Sequence, residues 1–302
     1  MADIAASVLA KLKNKAKSSG ISYQQCLQLF FQEEFLRKLA ASKYADNFIL
    51  KGGLFIYTLT NFESRATVDV DFLMRGLNND LARMDEIIAD ILAVPTGNDF
   101  MTFKATKTEP IALHRKYHGI STQITGYIKN VRVPFNVDIG IGDVITPSPE
   151  RRNIQTQLVG YDKPEILTYS LESIIAEKFD AILQRFELTG RMKDFYDIYY
   201  LSQTFDFDGL KLQTAIQETL ENRGTAYEKD SFERVIALAD DEDMHIKWRY
   251  FLKTLGNPEI SFYEVIAGMQ KFIEPVWEAI LAENEYLSSW NSTEQAWKSV
   301  KP

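Results

Sequence analysis

The chain has 302 residues, 45% of them hydrophobic, with a formal net charge of −8 and one cysteine, Cys26. That length suits one large or two ordinary domains with a sizeable core, while the acidity argues against a nonspecific grip on nucleic acid over the whole surface, which would need Lys and Arg to neutralise phosphates. A lone cysteine, most simply a buried small residue, excludes an internal disulfide and any multi-cysteine zinc site. No apolar run approaches the roughly 20 residues that span a bilayer, and MADIAASVLAKLKNK lacks a signal peptide's apolar centre, so no membrane contact and a cytoplasmic location are expected.

Residues 3–18 and 22–41 read as helices, the second begun by Ser22 and carrying Leu27, Leu29, Phe30, Phe35 and Leu36 at mainly helical spacing. KLKNKAK in the first helix (Lys11, Lys13, Lys15, Lys17) is the densest basic segment. Arg115-Lys116 and Arg151-Arg152 are smaller ones, and such runs are usually solvated faces. Phe48-Ile49-Leu50 is a short apolar run broken by Gly52-Gly53, and LFIYTL then reads as a helix whose exposed N–H groups can receive a phosphate. Arg65 follows, with a guanidinium suited to phosphate oxygens, and then Thr67.

Next comes VDVDF. Alternation of Asp69 and Asp71 with Val68, Val70 and Phe72 predicts a strand with both carboxylates on one face and the apolar residues in a core. Adjacent like charges repel, which suggests a compensating cation, and magnesium prefers such oxygen ligands and commonly sits between carboxylates and substrate phosphates. A solvated edge strand is the alternative. Asn78 or Asn79 can cap the following helix, whose apolar positions are Leu81, Met84, Ile87, Ile88, Ile91 and Leu92 and which Pro95 and Gly97 end. MTFKATK, TQITGYIK and VRVPFNVDIGIG then read as strands. In the last, Asp138 stands in an apolar frame and becomes a third carboxylate if its strand lies beside the first acids, with Asp143 as the competing candidate. His114 and His118 lack the acid of a zinc-protease motif, and no dinucleotide or P-loop glycine pattern is present.

After a short expected strand, QTQLVGY, a helix that Ser170 could cap runs through TYSLESIIAEKFDAILQRFE. Lys178 falls within its apolar stripe and either lays its stem on the core with the ammonium in water or binds phosphate as a point charge. Gly190 breaks the chain before RMKDFYDIYYLSQTF, a helix with Arg191, Lys193, Asp194 and Asp197 in its opening turns and Phe195, Ile198, Tyr199 and Leu201 for the core. Residues 208–302 show amphipathic helices, including DGLKLQTAIQETL and SFYEVIAGMQKFIEPVWEAIL, and a final NSTEQAWKSVKP that is expected to fray.

Taken together, the glycine pair, Arg-x-Thr, the DxD strand, EKFDAIL and Arg-x-Lys-Asp-x-x-Asp-hydrophobic resemble, in order over residues 48–203, the AbiEii-type nucleotidyltransferase toxins of bacterial toxin–antitoxin and phage-defence pairs. Gly53 departs from the Gly-Ser version and removes one hydroxyl. The resemblance implies an α+β chain: a polymerase-beta-like nucleotidyltransferase domain over residues 1–165 and a mostly helical domain over 166–302. It further implies transfer of a nucleoside monophosphate from an NTP to RNA, particularly a tRNA 3′ end, under restraint by a cognate antitoxin. Asp69, Asp71 and Asp138 would hold Mg2+, Gly52, Gly53, Arg65 and Thr67 would form the phosphate loop, Lys178 would contact the triphosphate, and Asp194 would be needed for activity. A small-molecule adenylyltransferase of the aminoglycoside-resistance kind is the alternative enzyme. A silent nucleotide-binding module is the alternative outside enzymes, against which Asp69, Asp71, Lys178 and Asp194 argue.

Overall fold

The structure is a computed structural model that describes residues 3–111, 119–185, 191–256 and 258–299. His114, Arg115, Lys116, His118 and Gly190 lie outside the described residues. The chain divides into two compact units, residues 1–142 with 149–169, and residues 143–148 with 170–302. Among the described residues no helix is long and apolar enough to cross a membrane.

The first unit opens with helices α1 (Ile4–Ser19) and α2 (Tyr23–Ala40). Ser22 starts α2 as expected, in a capping box with Gln25. A seven-stranded mixed sheet follows, built from β1 (Phe48–Lys51), β2 (Val70–Met74), β3 (Thr102–Ile111), β4 (Gly119–Ile128), β5 (Val131–Ile141), β6 (Glu150–Asn153) and β7 (Glu165–Thr168). Their spatial order is β3-β4-β5-β2-β1-β7-β6. Helix α3 (Gly52–Leu59) joins β1 towards β2, and α4 (Leu81–Ala93) follows β2. One sheet face is apolar: Phe72 meets Phe48 and Phe35 edge-on or tilted, and Phe35 also meets Phe135, so α2 closes this side of the core. Cys26 is buried.

Three local expectations are corrected here. QTQLVGY is irregular, with Val159 98% exposed; the strands are the charged edge segment β6 and its antiparallel partner β7 on either side of it, a polar edge that carries no apolar alternation to read. Helix α4 is capped by Asp80, whose carboxylate accepts from Ala82 N, and Asn78 instead accepts from Asp80 N. Val68 is exposed, and β2 begins only at Val70, so Asp69 lies just ahead of the strand.

Under α2 lies a buried polar group that the apolar pattern concealed. Arg37 reaches Glu34 at 2.7 Å and Glu33 at 3.6 Å, and Gln157 N donates to Glu33 Oε1 at 2.8 Å. Burial pushes the Glu33 carboxyl from an ordinary 4.5 up to about 8, against the opposing pulls of Gln157 N and Arg37. An acid whose folded pKa is raised is bound more tightly to its proton in the folded chain, so this contribution to stability is full below about pH 4.5 and is lost as pH rises towards 8. Glu33→Gln, which holds the site neutral, is therefore expected to flatten this part of the profile, by on the order of a few kcal/mol. Denaturant midpoints at mildly acidic and mildly alkaline pH check it: equal losses in both proteins would assign the slope to other groups.

The second unit is mainly helical: α5 (Leu171–Arg185), α6 (Met192–Thr204), α7 (Gly209–Arg223), α8 (Ser231–Ala237), α9 (Glu242–Thr254) and α10 (Phe262–Leu281). Ser170 caps α5, its hydroxyl accepting from Ser173 N. A small sheet of β8 (Phe207–Asp208), β9 (Ser288–Asn291) and β10 (Ala296–Ser299) closes it. The tail thus does not fray through Ser299: Trp297 stacks on Phe272 and donates its indole N–H to Phe272 O at 3.0 Å. An aromatic anchor outweighs the polar composition that suggested a loose end.

Candidate active site

In the first unit the register of the sheet gathers the polar residues. Asp71 on β2 pairs with Asp138 on the parallel neighbour β5, and on its other side with Lys51 on β1; Asp138 in turn pairs with Ser121 on β4. Register partners share a face, so Ser121, Asp138, Asp71 and Lys51 form one row across four strands. Ser121 donates its hydroxyl to Asp138 Oδ1 at 2.6 Å, and Lys51 lies 3.5 Å from the hydroxyl of the buried Tyr169. Asp69 precedes this row by two residues. The carbonyl of Val68, just before Asp69, accepts from Gln28 and Gln32 of α2, at 2.5 and 2.7 Å, and this pins the entry to β2.

The glycine pair fits against this row. Gly52, at φ +69°, opens α3, and a Cβ built on it would meet the Asp71 carboxylate, 2.8 Å from Cγ. Both the left-handed backbone and the close approach therefore demand glycine. A Cβ on Gly53 would lie 2.9 Å from Thr67 Oγ1 and 3.4 Å from Arg65 Nη1. The structure thus brings Gly52, Gly53, Arg65, Thr67, Asp71 and Asp138 together. The donor set is all oxygen and suits a hard divalent cation, which commonly takes one or two carboxylates and leaves its other positions to water and phosphates. Among the described residues no group of three or more His, Cys, Asp or Glu is already gathered as a cation cage.

In the second unit Lys178 and Asp194 meet. The Lys178 ammonium lies 2.5 Å from Asp197 Oδ2 and 3.3 Å from Asp194 Oδ1, with Arg191 Nε 2.8 Å from Asp194 Oδ2. The first alternative for Lys178, an ammonium carried out to water, is thereby excluded: the residue is 9% exposed and the two acids 2% and 1%. Asp143 belongs to a different cluster of this unit, where Arg223 binds it at 3.0 Å together with Glu177 and Asp180. Asp138, and not Asp143, is the acid beside Asp71.

The sequence reading missed Lys51, Ser121 and Tyr169 in the row and Arg223 in the helical unit. Lys51 adjoins the glycine pair and was open to notice. The others are visible only through strand register or helix packing.

The family described as "Nucleotidyl transferase AbiEii toxin, Type IV TA system" matches residues 34–283. Among solved structures, the chain is similar to MenT4, a nucleotidyltransferase toxin of Mycobacterium tuberculosis H37Rv, with a TM-score of 0.55 and 15% identity over 90% of this chain and 98% of that one. It is also similar to JHP933 of Helicobacter pylori, with a TM-score of 0.50 and 14% identity over 87% of this chain and 95% of that one. At such identities the likeness is one of fold. No curated protein matches the chain.

Proposed function

Since the chain belongs to the AbiEii family of nucleotidyltransferase toxins of type IV toxin–antitoxin systems, we propose that it transfers a nucleoside monophosphate from an NTP to a hydroxyl of RNA, at a tRNA 3′ end, and releases pyrophosphate. The observation that carries this reading is the in-register pairing of Asp71 with Asp138, with Gly52 against the Asp71 carboxylate. Asp69, Asp71 and Asp138 would hold magnesium, which when bound lowers the pKa of the attacking hydroxyl and offsets charge on the leaving pyrophosphate. The N–H groups at the start of α3 and the Arg65 guanidinium bind phosphate oxygens, and the two glycines let the backbone approach them. Gln28 and Gln32 hold Asp69 in place through the Val68 carbonyl, and Ser121 orients Asp138. In the helical unit, Lys178 is a fixed positive charge for the triphosphate, held by Asp194 and Asp197, and Asp194 is required through that arrangement. A cognate antitoxin restrains the activity in the cytoplasm, in the setting of phage defence.

The test is incubation of the purified protein with each radiolabelled NTP, magnesium and total bacterial RNA. Label entering a tRNA-sized band with one NTP is the expected result. Label entering only a cationic aminosugar would replace the RNA acceptor by a small molecule, and NTP binding without transfer to either would leave the silent-module reading.

A further inference from the structure

In the second unit, the outward face of α9 takes no part in the proposed chemistry, yet its side chains are not those of an ordinary solvated face. The helix buries Met244 and Trp248. On the opposite side Ile246, Arg249, Tyr250 and Lys253 follow one another at i, i+3, i+4 and i+7, so they form one stripe. That spacing of large side chains usually marks the face a helix buries. Here Ile246 is 42% and Tyr250 65% exposed, and Arg249 and Lys253 are exposed beside them. A further ring flanks the stripe: Tyr263, 53% exposed at the start of α10, lies 5.4 Å from the ring of His245, the chain neighbour of Ile246. The Tyr263 hydroxyl donates to Asp240, which fixes the ring in place.

Local causes account for only part of this arrangement. Lys253 in the last turn of α9, and Glu242 and Asp243 in the first, suit the helix dipole. Arg249 lies in neither turn. Among the described residues Arg249 and Lys253 make no ion pair, whereas Arg234 on α8 is neutralised by Glu228 and Asp230. Lys253 instead sets its ammonium 5.0 Å from the centroid of the Tyr250 ring. In a chain of net charge −8 this is a local reversal of sign. The occupant that matches both features is a polyanion that also offers unstacked rings, with phosphates for the cations and bases for the aromatic faces. A duplex would use the cations and leave the rings idle, because its bases are stacked inside. The face is also well placed for the reaction. Helix α9 packs on α6 through Tyr196, whose ring meets Phe251 at 5.7 Å, and Tyr196 is two residues beyond the Asp194 that holds Lys178.

We propose that this face of α9, together with Tyr263, binds an unpaired stretch of RNA, with phosphates on Arg249 and Lys253 and bases stacked on Tyr250 and Tyr263. Its use in the reaction rests on the RNA-acceptor reading; the surface itself does not. Fluorescence anisotropy of the full chain tests it, with a short labelled RNA strand of mixed sequence and the same strand in a duplex, over a series of salt concentrations. The single strand is expected to bind more tightly than the duplex, and Tyr250→Ala to weaken its binding about tenfold. Arg249→Gln/Lys253→Gln is expected to lower the slope of log affinity against log salt by about 1.4, the release of counterions from two phosphates of a single strand. All three side chains are exposed, so the urea midpoints should match that of the unmodified protein. Unchanged affinity in either variant, or tighter binding of the duplex, would overturn the proposal. A polyglutamate peptide that binds as tightly as the RNA, and is lost in the charge variant but kept in Tyr250→Ala, would replace the RNA by an acidic protein surface. Single-strand binding through α9 in a protein that labels no RNA would overturn the acceptor reading alone. RNA labelling with the same KM for RNA in the unmodified protein and both variants would overturn the α9 surface alone.

Discussion

Asp71→Asn is expected to lower nucleotidyl transfer by at least about 10²–10³-fold. Asp71 and Asp138 are register partners on neighbouring parallel strands, so two like charges face each other across one ladder. With a cation the same pair supplies the negative charge that binds it, and the amide supplies less. Loss of activity in a protein that remains folded, with magnesium affinity lowered, therefore marks a metal-binding acid. Asp143→Asn provides the contrast. That residue is held by Arg223 at 3.0 Å, and its neutralisation should cost stability. The measurement is initial rate with saturating NTP and magnesium, beside a urea midpoint for each protein. An active Asp71→Asn protein would remove the carboxylate row from the mechanism.

What the sequence disclosed and what it hid divide along physical lines. The acids, glycines and helix starts were legible because they depend on local rules: alternation placed Asp71 and Asp138 in strands, and Ser22 and Ser170 announced their helices by the capping they perform. Register was not local. Whether Asp138 or Asp143 joined Asp71 turned on β5 lying parallel to β2, a pairing between segments more than sixty residues apart, and on β5 ending at Ile141, so that Asp143 already belongs to the helical unit. Strands without apolar alternation, such as β6, and tails held by one aromatic anchor, such as that of Trp297, were hidden for the same reason: their partners decide them. The ammonium of Lys178 was the clearest case, since the periodicity of α5 placed it on the inner stripe while only α6 supplied the acids that make burial tolerable.

Lys178→Met is expected to destabilise the chain by about 3–5 kcal/mol, because it leaves Asp194 and Asp197 buried without the ammonium that lies 3.3 and 2.5 Å from them. Methionine matches the length of the stem and fills its volume, so the loss is electrostatic rather than a cavity effect. Arg191 remains on Asp194, and Asp197 is the acid that the ammonium approaches more closely, at 2.5 Å. Adding Asp197→Asn should then restore much of the stability, and the double variant should be far less destabilised than the sum of the singles, the coupling expected of contacting charges. Urea midpoints of the four proteins give the cycle, and additive losses would show that the cluster is not a pair in the energetic sense. The double variant also answers the functional question that the single one cannot. An inactive Lys178→Met protein is uninformative when much of it is unfolded. An inactive Lys178→Met/Asp197→Asn protein at near-normal stability, with NTP affinity lowered, would assign the ammonium to the triphosphate; a folded and active one would make the cluster a structural clamp.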